Sequence, residues 1–359
     1  MKRMVIVPAI AFAAAVAGCG GGTNDGDATA APAPKDMESP ATGTLRVFAY
    51  GDTVPDEMLD PFKEANPDVE LEVATFDSNK AAAAKLAGGF EADVVEVCTD
   101  EMEPLLARNL IRPVDPEAFD EFDKLAFSDA DEVRDENGEV LFVPASAGPH
   151  GLIVNTDELG TEIDSYQALF DSANTGQVAL EATPLTAIAA SAMAIGLDDP
   201  MNLTDEEVEQ AKQNLLDNRD NFRAFAESDA SMVNLFKSGE VLIADGGRGT
   251  AEAMIDDGLP VEWVAPTEGA LSWVCGLAIT SKAENTDAAY KLIDYYASPE
   301  AQAISAEMGF VAMNPDALDL LDEQYLDSAD PTNLEEAIAQ TEPENADVYD
   351  RAWQEVLAQ

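Results

Sequence analysis

The chain's single histidine, His150, sits in Gly148-Pro149-His150-Gly151, a composition that reads as a turn. No serine nucleophile elbow lies near it, and a lone loop histidine makes a poor general base. Gly246-Gly247-Arg248-Gly249 is glycine-rich but lacks the Lys-Ser/Thr pair with which a P-loop cradles phosphate. Cys98 and Cys275 are open to two uses, one disulfide in an oxidising compartment or two buried thiols. Two scattered cysteines and one histidine do not make a zinc cluster. Paired carboxylates abound, but among 71 acidic residues chance pairs carry no information. Catalysis has no visible constellation here, and neither a cofactor nor a metal is expected.

Cys19 is the remaining reactive residue, and its setting is an address. Lys2 and Arg3 precede an apolar stretch from Met4 to Val16, and Val16-Ala17-Gly18 puts small residues directly before the thiol. That order is a secretory leader. It looks like a bacterial lipoprotein signal over residues 1–18, in which the lipidated Cys19 becomes the mature N-terminus. A membrane-spanning helix needs about 20 apolar residues, so the stretch is too short to anchor by itself. Gly20-Gly21-Gly22 and the Ala/Pro/Thr/Asp-rich run that follows predict a flexible, unfolded spacer over 19–43. The expectation is a body outside the cytoplasm, periplasmic or at the cell surface, tethered to the membrane.

The whole chain is strongly anionic: 19 basic against 71 acidic residues give a net charge of −52. Such a charge repels nucleic acid and anionic lipid, which excludes a nucleic-acid partner. It either draws cationic ligands to the surface or forms a solvated coat suited to salty surroundings. With 46% hydrophobic residues the chain is globular in character. Roughly 315 residues after the spacer are too many for one core, so two lobes are expected.

The elements that would position any site alternate strand and helix. Leu45 to Tyr50, Val69 to Ala74 and Asp93 to Val97 read as strands, with helices over Pro55 to Asn66 and Asn79 to Leu86 between them. This βαβαβ start predicts a parallel sheet with helices on both faces. Thr204-Asp205-Glu206-Glu207 has the spacing of a capping box, so a helix starts at Thr204, with Val208, Ala211 and Leu215 inward. Val241 to Asp245 is a further strand, and helices follow from Thr286 and Pro299. The acidic segment after Leu318, broken by Pro331 and Pro343, wraps the body before a last helix near Trp353.

An ordered series of short blocks resembles one family. It runs through Thr75-Phe76-Asp77-Ser78-Asn79, Ala92-Asp93-Val94-Val95, Val143-Pro144, Gly239-Glu240-Val241 and Pro266-Thr267-Glu268-Gly269-Ala270. Leu277-Ala278-Ile279, Ser298-Pro299-Glu300 and Gly309-Phe310 with Asn314 complete it, so the series spans about Leu45 to Leu318. The chain is thereby similar to the polyamine-type (spermidine/putrescine) extracytoplasmic solute-binding proteins of bacterial ABC importers. The resemblance implies an α/β, two-lobe periplasmic-binding-protein fold of type II, with a ligand cleft between lobes joined by crossover strands. One lobe would comprise 44–150 with 275–315, the other 152–274 with 316–359. The implied partners are a small-molecule solute, an ABC permease and its ATPase, and the membrane through the lipid; the protein itself would be a monomer. Closure on the solute would create the surface that the permease recognises.

The family stacks polyamine methylenes on aromatics and pairs the ammonium groups with acids, using cation–π contact and charge-assisted hydrogen bonds. Carried over by position, the resemblance assigns the ligand site to Tyr50, Asp52, Cys98, Asp100, Thr183, Thr186, Arg248, Trp273 and Cys275. Several depart from the pattern. Family acids fall on Thr183, Thr186 and Cys275, and Arg248 brings a cation after the strand ending at Asp245. Asp52, Asp100 and Asp245 are the acids available to replace those lost. Three readings stay open: a polyamine or related amine, a small anionic or zwitterionic solute held by Arg248, and a receptor subunit that keeps the fold without transport. A bridge between Cys98 and Cys275 across the lobes would lock the cleft, which argues against a disulfide.

Overall fold

The computed structural model describes residues 30–359 except 136, 161, 335 and 336. Cys19 and the leader therefore lie outside the described residues. The strands are β1 (Thr42–Ala49), β2 (Asp68–Thr75), β3 (Val94–Cys98), β4 (Ile111–Arg112), β5 (Val143–Asn155), β6 (Val178–Glu181), β7 (Phe222–Ala226), β8 (Ile243–Gly247), β9 (Val261–Val264), β10 (Leu271–Thr280) and β11 (Ile338–Ala339). They hydrogen-bond in the order β2-β1-β3-β10-β5-β8-β6-β7. β2, β1 and β3 are parallel at one end, and β8, β6 and β7 are parallel at the other. The antiparallel pair β5 and β10 joins the two halves.

Each half has its own core. Leu45, Phe48, Phe62, Val95 and Phe142 belong to one, and Leu152, Tyr166, Ile188, Leu215 and Trp353 to the other. The helix Asp56–Ala65 contributes to the first because Met58, Leu59 and Phe62 recur on one face. The helix Asp205–Asp217 contributes to the second and begins as its spacing predicts. Thr204 accepts from the Glu207 N–H while the Glu207 side chain accepts from the Thr204 N–H. Along β5 the cores change over between Ala147 and Leu152; along β10 they change between Leu271 and Val274. The C-terminal stretch also divides, since Leu334 packs in the first core and Tyr349 in the second.

Three expectations need correction. Gly148-Pro149-His150-Gly151 is not a turn but the middle of the thirteen-residue strand β5. Its glycines serve close packing: a Cβ at Gly148 would come within 2.8 Å of the Trp273 ring, and one at Gly151 within 2.7 Å of the Val264 carbonyl. The spacer also ends earlier than expected. Ala31 is buried, its N–H donates to the Pro113 carbonyl at 2.8 Å, and the Tyr290 hydroxyl donates to its carbonyl at 2.8 Å. Finally, Cys98 and Cys275 form a disulfide. They are directly paired across β3 and β10, so the bridge staples two neighbouring strands and leaves the lobes unlocked.

Candidate functional site

Where β5 and β10 cross between the cores, a cavity of about 590 Å³ opens, within the usual range for small-molecule sites. Both halves line it. From the first come Tyr50, Asp52, Glu96, Asp100 and the disulfide; from the second come Glu181, Thr183, Thr186, Asp229 and Arg248; His150, Trp273 and Phe310 lie between. All nine ligand positions inferred from the sequence thus meet in one cleft.

Its aromatic wall follows from the crossover strands. Trp273 stands opposite Gly148 in the β5–β10 ladder, and the missing side chain there gives the indole room to lie flat on the strand. Phe310 meets Trp273 edge to face, with ring centroids 5.8 Å apart. Tyr50 follows β1 and packs against Phe76 at 4.6 Å. Both Tyr50 and Trp273 keep part of their surface open to the cleft.

Acids supply the opposite chemistry. Glu96 is the one polar residue in the run Val94-Val95-Glu96-Val97-Cys98, and it is 2% exposed. Its oxygens accept from the Tyr50 N–H at 2.9 Å and the Thr53 hydroxyl at 2.8 Å. Burial, with Asp52 nearby, pushes its carboxyl up to about 8. Burial and the neighbouring Glu101 push Asp100 up to about 7. These groups disfavour a further negative charge and would be relieved by a cation.

Across the cleft, His150 is buried between two carboxylates. Its Nδ1 lies 3.4 Å from Glu181 and its Nε2 3.5 Å from Asp245. Asp245 is wholly buried, and its other oxygen accepts from the Glu181 N–H at 2.8 Å. Asp229, first residue of the helix Asp229–Lys237, accepts from the Thr250 hydroxyl at 2.8 Å.

Five inferred positions already have partners within the protein. Thr183 and Thr186 are hydrogen-bonded to each other at the start of the helix Pro184–Ala194. Arg248 points into a structural nest: its guanidinium donates to the Ser328 carbonyl, lies 3.6 Å from Glu252 and sits 5.9 Å from the Trp263 ring centroid. Cys98 and Cys275 form the cleft floor as a disulfide.

Glu96, His150, Glu181, Asp229 and Phe310 also line the cleft, and none of them is among the positions inferred from the sequence. Glu96 carried a readable signal, an acid inside an otherwise apolar strand. Glu181 and Asp245 lie toward the carboxyl ends of parallel strands, where ligands of open α/β sheets bind. Lys80 and Asp350, which both line the cleft, meet at 3.1 Å, and the Thr99 hydroxyl donates to the Gln340 carbonyl at 2.8 Å.

The model of a bacterial extracellular solute-binding protein family matches residues 57–334. A spermidine/putrescine-binding periplasmic protein of Haemophilus influenzae is 26% identical over 288 residues, covering 77% of this chain and 77% of its own. A putrescine/agmatine-binding protein of Pseudomonas aeruginosa is 25% identical, covering 80% of this chain and 83% of its own. The solved spermidine/putrescine ABC transporter substrate-binding protein of Streptococcus pneumoniae superposes with a TM-score of 0.74 at 19% identity, covering 89% and 98% of the two chains.

Proposed function

The chain belongs to the bacterial extracellular solute-binding protein family, and from that premise we propose that it captures a polyamine or related organic amine for an ABC importer. The observation that carries the reading is a single cleft that sets the aromatic faces of Trp273, Phe310 and Tyr50 beside the acids Asp52, Glu96, Asp100, Glu181 and Asp229. An alkyl diamine needs both surfaces: faces for its methylenes and ammonium groups, and carboxylates to neutralise the charge it brings in. A carboxyl held neutral by burial must release its proton to pair with such a cation, which ties capture to pH.

In this reading 44–150 with 275–315 and 152–274 act as the two lobes, with the C-terminal stretch divided between them, hinged at Gly148 to Gly151 and at Ser272 to Trp273. Lobe closure brings Lys80 to Asp350 and prepares the surface for the permease and its ATPase. The leader directs export, a lipid on Cys19 anchors the protein, and the monomer performs no catalysis. A carboxylate held by Arg248 is the poorer fit. It would have to displace Glu252 and the Ser328 carbonyl from the guanidinium.

A thermal-shift panel of cationic, zwitterionic and anionic solutes tests the choice. A true ligand at about 100 times its Kd stabilises the folded state by about 2.7 kcal/mol. Putrescine, spermidine or agmatine should raise Tm saturably. A rise with anionic solutes alone would overturn the proposal.

A further inference from the structure

The lobe-2 wall of the cleft holds a built trio outside the positions assigned by family resemblance. Asp245 is wholly buried, and among the described residues its Oδ2 has no hydrogen-bond partner. His150 Nε2, 3.5 Å away, also has none among them within hydrogen-bond geometry. A buried carboxylate with no compensating charge is costly, so the imidazole between two acids is held as the cation. One ring N–H then faces Asp245 and the other faces Glu181 at 3.4 Å. The side chains of Asp245 and His150 are 0% and 5% exposed, whereas Glu181 keeps 39% of its side chain open in the cleft. Asp229, from the helix packed alongside, adds a further negative charge to the same region, and Asp100 faces Glu181 from the other half.

We infer that Glu181, aimed by the buried Asp245–His150 relay, is the second lobe's anchor for the cationic end of the ligand. This deepens the amine reading and rests on it. The negative charge expected at Thr183 and Thr186 has moved onto the strand two residues earlier. That relocation has a physical logic, because the first turn of a helix carries positive partial charge and is a poor seat for an ammonium group. With His150 protonated, the trio carries one net negative charge, which one ammonium group neutralises. His150 is a positioning residue: it lies 3.4 Å from Glu181 and 3.5 Å from Asp245, and its charge offsets the buried acid while facing the exposed one.

The relay makes capture compete with protons. Burial pushes the Glu181 carboxyl up to about 7, while the His150 charge pulls it down. An ammonium group needs the ionised form, so binding at lower pH must expel a proton to solvent. A group titrating near 7 is about ten times more ionised at pH 8 than at pH 6, giving about tenfold tighter binding.

The test is calorimetric titration of the mature protein with putrescine and with spermidine at pH 6 and pH 8, repeated for Glu181→Gln and His150→Gln. Glu181→Gln should weaken binding at least tenfold at pH 8, and lose about tenfold of the affinity gained between pH 6 and pH 8. Its ligand-free Tm should stay within a few degrees of the parent. His150→Gln removes the charge that holds Glu181 down, so the midpoint of its affinity profile should move to higher pH; a structural role alone would change Tm and leave that midpoint fixed. Parental affinity and parental pH dependence in Glu181→Gln would overturn the inference while leaving amine binding intact. If the parent protein binds no amine, the functional reading fails and this inference falls with it.

Discussion

Replacing Glu96 by Gln isolates the energetic consequence of burying an acid under the cleft. Glutamine preserves the geometry: its carbonyl oxygen accepts from the Tyr50 N–H, and its amide donates to the Thr53 hydroxyl in place of the bond now 2.8 Å long. What disappears is a proton. The folded carboxyl titrates at about 8, against an ordinary value of 4.5 in the unfolded chain. A raised carboxyl contributes stability that is full below the unfolded value and lost as pH rises towards the folded one. The window is therefore about pH 4.5 to 8. Integrating across pH 5 to 8, Glu96 alone removes roughly 3–4 kcal/mol from the ligand-free protein. Urea unfolding at half-unit steps should show the parent losing that much more stability than Glu96→Gln over the same range. Adding amine at pH 8 should recover part of the parent's loss, because a cation favours the ionised form. Parallel pH profiles for the two proteins would refute the reasoning, since they would mean that Glu96 is ionised throughout.

Other outcomes follow from the same geometry. Trp273→Ala should weaken amine binding about 10- to 100-fold in calorimetry, through loss of cation–π contact and apolar cover, while circular dichroism stays native. Cys98→Ser with Cys275→Ser removes a bridge across 177 residues of sequence. That should cost about 2–5 kcal/mol in urea unfolding, while the double variant still binds amine, because the staple lies within one lobe. Cys19→Ala should shift the protein from the membrane to the soluble fraction on cell fractionation; unchanged membrane association would remove the lipid anchor from the account.

The fold was largely legible because its local signals agree with its tertiary demands. The Thr204 capping box and the alternating strands and helices before Cys98 appear where the residues place them. That Trp273 and Tyr50 line the cleft was legible through position in the family pattern. The rest was hidden for identifiable reasons. Gly148 and Gly151 look like turn punctuation, yet they exist so that Trp273 and the Val264 carbonyl can approach a strand. The disulfide joins residues far apart in sequence, and only the β3–β10 register makes them neighbours. Glu181 was lost among many acids because composition cannot tell a solvated carboxylate from one facing a cleft. Arg248 looked like an incoming ligand contact because the Ser328 carbonyl that engages it comes from a distant segment.

In the proposed function a carboxylate-rich, aromatic-walled crevice between two lobes seizes an organic cation. Isothermal titration of spermidine and putrescine into the mature, ligand-stripped protein at pH 8 tests it most directly. Saturable one-to-one binding in the micromolar range or tighter is expected, abolished or strongly weakened by Trp273→Ala. No heat with either amine at millimolar concentration would contradict it.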